Sequence, residues 1–127
     1  MGRERERRVY HRYAVDRIAD NYKAINAAAQ MDAPDSIRSF YKTLVALRKK
    51  MPVISAGKIE FLYPDNADLL AYRRYDGDTE LLVLCNLRER EIAKPLPVGW
   101  TDAEKLLGNS PDTADTLRPY ECVVLKK

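Results

Sequence analysis

The sequence predicts a mainly β chain with N-terminal helices: a small antiparallel β-sandwich preceded by one or two helices. Three observations carry this. Large apolar side chains recur at helical spacing between residues 36 and 50, and Pro52 follows them. From residue 58 the apolar period becomes two, the pattern of a half-buried strand. The strand-like segments are short and closely spaced, with Gly, Pro, Asn and Asp between them, which favours antiparallel neighbours over strand-helix-strand units.

Residues 1–20 open with alternating charges, Arg3, Arg5, Arg7 and Arg8 against Glu4 and Glu6. They read as a solvated arm or surface helix, with Val9, Tyr13 and Ile18 as a thin apolar stripe. The stretch NYKAINAAAQ at 21–30 reads as a connecting segment or short helix. The helix over 36–50 is the strongest local signal. Asp35 or Ser36 can accept from its first free amides, and Pro34 sits where a missing N–H is harmless. Ile37, Phe40, Tyr41, Leu44, Leu47 and Met51 share one face. Arg48, Lys49 and Lys50 meet the negative end of the helix dipole, and Pro52 is expected to stop the helix. Strands are expected over 58–63, 69–75 and 80–87, the last two joined as a hairpin through Asp76-Gly77-Asp78-Thr79. The run 81–85 is apolar on both faces, as a covered central strand should be. Shorter strands are expected at 91–94 and 103–107, and a final one at 121–125. The domain boundaries that follow are 1–20 for the arm, 21–52 for the connecting segment and helix, and 53–127 for the β domain.

Composition narrows the function. The chain has 127 residues, 46% hydrophobic and 32% charged, a globular balance. The net charge is +3, and residues 1–20 contribute +2 of it through six Arg against two Glu and two Asp. A basic field over the whole fold, as nucleic-acid binding requires, is lacking, so nucleic acid is an unlikely partner. The longest apolar run is too short to span a bilayer, and Gly2, Arg3 and Glu4 begin no secretory signal, so no membrane partner is expected. Cys85 and Cys122 lie far apart in sequence and form neither a CxxC pair nor a disulfide framework, which points to a reducing cytoplasm. His11 is the one histidine, so neither a metal site nor a Ser/His/Asp set is expected, and no cofactor is called for. The glycines are isolated turn residues and make no phosphate-binding loop.

The order of segments then carries a resemblance. NYKAINAAAQ, PDSIRSFYKTLVALRKKMPVI with Gly57 close behind, LLAYRRYDGDTELLVLCNL and TLRPYECVVLKK together resemble the C-terminal end of a family 13 glycoside hydrolase of the oligo-1,6-glucosidase, α-glucosidase or trehalose-6-phosphate hydrolase type. The likeness runs from Asn21 to the C-terminus, and residues 1–20 depart from it. It implies that the 36–50 helix corresponds to the last helix of a (β/α)₈ barrel. Residues from 58 onward would correspond to the small sandwich that follows, an α-amylase C-terminal-like domain. Retaining glycoside hydrolysis needs a nucleophilic carboxylate and an acid/base about 5–5.5 Å apart in a cleft, and in this fold they sit on barrel strands that would precede Asn21. Glu60, Asp76, Asp78, Glu80, Glu89 and Glu91 read instead as turn or surface acids.

The expected function is therefore a non-catalytic accessory domain, with no catalytic residue in this chain and a catalytic barrel as partner in a full-length enzyme. A carbohydrate-binding module is the alternative. Tyr63, Tyr72, Tyr75, Trp100 and Tyr120 would offer stacking rings, and Tyr63, Trp100 and Tyr22 are the candidate contacts to an oligosaccharide. A nucleic-acid-binding arm or a free-standing hydrolase is less favoured. With the barrel absent, the apolar helix face would be covered partly by the β domain and otherwise by residues 1–30 or by a second copy of the chain.

Overall fold

The computed structural model describes residues 19–112 and 115–127. Residues 1–18 of the Arg-rich arm, with His11 and Tyr13 among them, lie outside the described residues. The chain divides into two compact units, Met1–Ala46 and Leu47–Lys127.

The described part of the first unit is helical. Helix α1 spans Ala27–Gln30, and α2, Ile37–Lys50, begins here. Asn26 explains where α1 starts: its Oδ1 accepts from the Ala29 amide at 2.9 Å, while its Nδ2 donates to the Tyr22 and Lys23 carbonyls. One side chain thus serves both the helix cap and the turn before it. Of the two caps expected for α2, Ser36 is the one used. Its hydroxyl accepts from the Ser39 amide at 3.2 Å, and Gln30 Oε1 accepts from the Arg38 amide at 3.1 Å. Two amides that the helix cannot satisfy internally are thereby paired. No residue of α2 is buried: of the expected apolar face Ile37, Tyr41 and Leu44 are exposed, and Phe40 and Leu47 are half-buried.

At Pro52 the expectation needs correction. The long helix does end at Lys50, but Pro52 then opens a further short helix, α3, Pro52–Ala56. Met51 is extended, as a residue before proline must be, and proline is well tolerated in a first helical turn.

The second unit is built on five antiparallel strands in the order β1-β2-β3-β7-β5. These are β1 Lys58–Leu62, β2 Leu69–Tyr75, β3 Glu80–Asn86, β5 Glu104–Gly108 and β7 Cys122–Lys126. A two-stranded ribbon, β4 Ile92–Ala93 with β6 Thr116–Leu117, completes the second layer. The β2–β3 hairpin turns as its sequence predicts: Asp76 Oδ1 accepts from the amides of Asp78 and Thr79, and Gly77 takes φ +106°. The strand expected at 91–94 shrinks to two residues. The 103–107 strand shifts by one and bulges between Lys105 and Leu107, while β6 was not anticipated.

The core lies between the sheet and the ribbon. Leu69, Ala71, Leu82, Leu84, Val123 and Leu125 point inward from the sheet to meet Trp100 and Leu117, with Leu62, Ile92, Leu96 and Ala103 at its edge. The fully enclosed Leu82 and Leu84 sit at its centre. Substituting Leu84 by alanine removes about 2–5 kcal/mol of unfolding free energy. Urea denaturation of the purified chain measures this directly.

Candidate functional site

The strand register sorts the second sheet face. Ile59 pairs with Arg74, Phe61 with Tyr72, Tyr72 with Val83, Leu70 with Cys85, Val83 with Val124, and Cys85 with Cys122. Directly opposed residues share a face, so all of these side chains lie opposite the core. One end of this face is closed by α3. Arg74 Nε donates to the Val53 carbonyl at 3.1 Å and its Nη2 to the Gly57 carbonyl at 2.8 Å, and Val53 is buried. Gly57 permits the approach: a Cβ there would stand 2.4 Å from the Val53 oxygen. The other end is open. Phe61 is 62% exposed and meets Tyr72 edge-on at 6.1 Å, with Leu70 exposed beside Tyr72, and Ile59, paired with Arg74 on the edge strand, is exposed as well. This open apolar surface is the candidate functional site.

The acids are engaged elsewhere. Arg73 binds Glu60 at 2.5 Å and Glu80 at 3.5 Å, and its guanidinium lies 4.6 Å over the Tyr75 ring. Asp68 receives Arg88 Nε at 2.7 Å and is also paired with Arg90. The hydrogen bond from Arg88, with the charges of both arginines, holds the Asp68 carboxyl below its ordinary value despite some desolvation. Lys105 binds Asp112, and the buried Glu121 accepts from the Arg118 amide at 2.7 Å. The buried Asn86 ties the same loops together, donating to the carbonyls of Arg90 and Arg118 at 2.8 Å each. Among the described residues no group of three or more His, Cys, Asp or Glu could hold a metal ion. No described helix is long and apolar enough to cross a membrane.

The three residues singled out for sugar contact fare differently. Trp100 is 4% exposed and belongs to the core, with the Lys127 ammonium 5.7 Å above its ring, so it presents no open face for stacking. Tyr63 is exposed and turns the chain after β1 at φ +52°. Tyr22 is exposed in the first unit, with Lys23 6.0 Å over its ring. Of the other tyrosines, Tyr120 is exposed in a turn, while Tyr72 and Tyr75 are partly covered within β2.

Sequence separation hid one pair. Cys85 and Cys122 are cross-strand partners, with their Sγ atoms 2.7 Å apart. Both are half-buried. Alternation along β3 and β7 places each on the outer face, but the register between two strands so distant in sequence is not readable locally.

Comparison with known proteins agrees with this architecture. Residues 59–124 match the family model for the maltogenic amylase C-terminal domain. An oligo-1,6-glucosidase from Heyndrickxia coagulans is 35% identical over 111 residues, covering 85% of this chain and 20% of that protein. A trehalose-6-phosphate hydrolase from Bacillus subtilis (strain 168) is 33% identical over 118 residues, covering 86% of this chain and 21% of that one. Among solved structures, the trehalose-6-phosphate hydrolase of Bacillus licheniformis superposes with TM-score 0.75 at 35% identity, covering 86% of this chain and 21% of the enzyme. A trehalulose synthase does so with TM-score 0.78 at 30% identity, covering 87% and 21%. The chain thus spans about a fifth of the length of these relatives.

The Asp68 cluster yields a pH prediction. A depressed carboxyl pKa contributes stability above the unfolded value, and that contribution is lost as pH falls through the folded one. Carboxyl NMR should therefore place the Asp68 midpoint below that of an unpaired aspartate in the native chain. Arg88→Ala should move it upward.

Proposed function

The chain belongs to the maltogenic amylase C-terminal domain family, and on that premise we propose that its β unit docks through the open sheet face onto the catalytic (β/α)₈ barrel of an α-glucosidase-like enzyme. The chain corresponds to the C-terminal accessory domain of family 13 glycoside hydrolases. The observation that carries the docking reading is the asymmetry of the sheet. One face is sealed by a core, while the other leaves Phe61, Ile59 and Leu70 in water. Apolar surface contributes about 25 cal/mol per Å² when covered, so several such side chains supply a few kcal/mol to a docked state. Left open, a contiguous apolar patch favours association. The exposed Ile37, Tyr41 and Val45 of α2 extend the same reading to the helix, as the counterpart of a last barrel helix.

In this reading the chain alone catalyses nothing. Glu60, Glu80, Asp68 and Asp112 are held in ion pairs, and Asp76 is used by its turn. The partner is the barrel, and association of two copies through the open apolar surfaces is what the barrel would replace. Contact with an oligosaccharide falls to Tyr63 and Tyr22, whose rings are exposed. A cytoplasmic setting fits the retention of Cys85 and Cys122 as free thiols.

Two measurements test the proposal. The purified chain should leave nitrophenyl α-glucoside unhydrolysed, and turnover abolished by changing one of its own acids would contradict the reading. A chimera carrying residues 47–127 in place of the matched segment of the Heyndrickxia coagulans oligo-1,6-glucosidase should lose several degrees of melting temperature on Phe61→Glu. The same substitution should shift the isolated chain by no more than about 0.5 kcal/mol, the usual range for a surface change. Equal losses in both would place Phe61 in the internal fold instead.

A further inference from the structure

The position of the cysteine pair in the β3–β7 ladder decides what it can do. Glu80 and Lys127 exchange both backbone hydrogen bonds, at 3.3 and 3.0 Å, and the Asn86 amide donates to the Glu121 carbonyl at 2.8 Å. Antiparallel pairs alternate, so 80/127, 82/125, 84/123 and 86/121 are hydrogen-bonded pairs. Cys85 and Cys122 therefore form a non-hydrogen-bonded pair, where opposed side chains stand closest. The Cα separation at such positions is about 4.5 Å, inside the range of about 4.4–6.8 Å that a disulfide spans. The two sulfurs are already 2.7 Å apart. Each side chain is only half-buried, and the neighbouring Leu70 on the same face is exposed, so a small reagent can reach them.

We propose that Cys85 and Cys122 form a reversible dithiol–disulfide site on the open face of the sheet, whose reaction partner is a small disulfide of the glutathione class. The site uses this chain alone and does not depend on the docking reading. The two sulfurs share one contact in which either can donate, and with Cys85 as the donor the thiolate is favoured at Cys122, although burial and the Glu121 charge oppose ionisation there. Either sulfur can attack, with the same product; Cys122 is taken first. Its thiolate attacks one sulfur of the reagent disulfide, a mixed disulfide forms, and the first reagent thiolate leaves and takes up a proton. Cys85 then gives up its proton, and its sulfur attacks Cys122 Sγ, forming the Cys85–Cys122 bond and expelling the second reagent thiol. Two protein thiols and one disulfide become one protein disulfide and two reagent thiols. The protein pair is oxidised by two electrons and the reagent reduced by two. The new bond joins residues 37 positions apart and restrains the unfolded chain, so the oxidised form is the more stable.

The test is incubation of the native 127-residue chain with increasing oxidised glutathione, followed by mass spectrometry and thermal melting. The expected product is lighter by two hydrogens, gives a proteolytic peptide joining Cys85 to Cys122, has no thiol left for a colorimetric reagent, and melts higher until dithiothreitol restores the starting value. Cys85→Ser should stop at a glutathione adduct on Cys122 with no rise in melting temperature. Persistent glutathione adducts on the unsubstituted chain, or cross-linking only after denaturant is added, would overturn the proposal.

Discussion

Strand β3 is apolar on both faces, and the rest of the β unit is arranged to keep water from it. Leu82 and Leu84 on one side and Leu81 on the other are almost fully enclosed. A one-residue slip of such a strand would leave apolar side chains on both faces, so its register is set by the β2–β3 turn and by the alternation of β7 beside it. Its neighbours must supply every backbone partner, because an unpaired amide or carbonyl costs about as much as a lost hydrogen bond. β2 and β7 do so on either side, in antiparallel register along nearly the whole strand. At the end of β3 the run becomes polar at Asn86, and there the buried amide side chain satisfies carbonyls from the two loops that cross it. A buried polar group fully partnered in this way fixes one arrangement of the loops.

The same strand divides the sheet into unequal surfaces. Towards the ribbon, the inward residues of β2, β3 and β7 meet Trp100 and Leu117 in a closed core. On the opposite side α3 covers only one end, through the grip of Arg74 on the carbonyls of Val53 and Gly57. The remainder of that side is where an accessory domain can meet a larger partner. It is also where β3 and β7 bring two thiols into contact. Domain architecture and thiol chemistry therefore follow from one register.

Much of this was legible in the sequence because the signals were local. The α2 helix shows apolar positions three and four apart with basic residues at its end, and the β2–β3 hairpin is announced by Asp76-Gly77 between two alternating runs. The covered strand was legible because residues 81–85 have no polar side. Pro52 misled, since proline both ends a preceding helix and suits the start of the next, and only the extended backbone at Met51 separates the two outcomes. β6 was invisible because a two-residue strand has no period to detect. Trp100 is a stacking candidate in the sequence because it is one of few large rings, yet its loop folds the ring into the core. The cysteine contact depended on a long-range register that no local pattern encodes.

Strand β3 is the structural axis of the β unit, and native-state hydrogen exchange examines that most directly. The amides of Leu82 and Leu84, with their hydrogen-bonded partners Leu125 and Val123 on β7, should exchange only through global unfolding and share one free energy. The amides of α2, which carries no buried residue, should exchange through smaller openings. Exchange of β3 at the rate of α2, or independently of β7, would contradict the account.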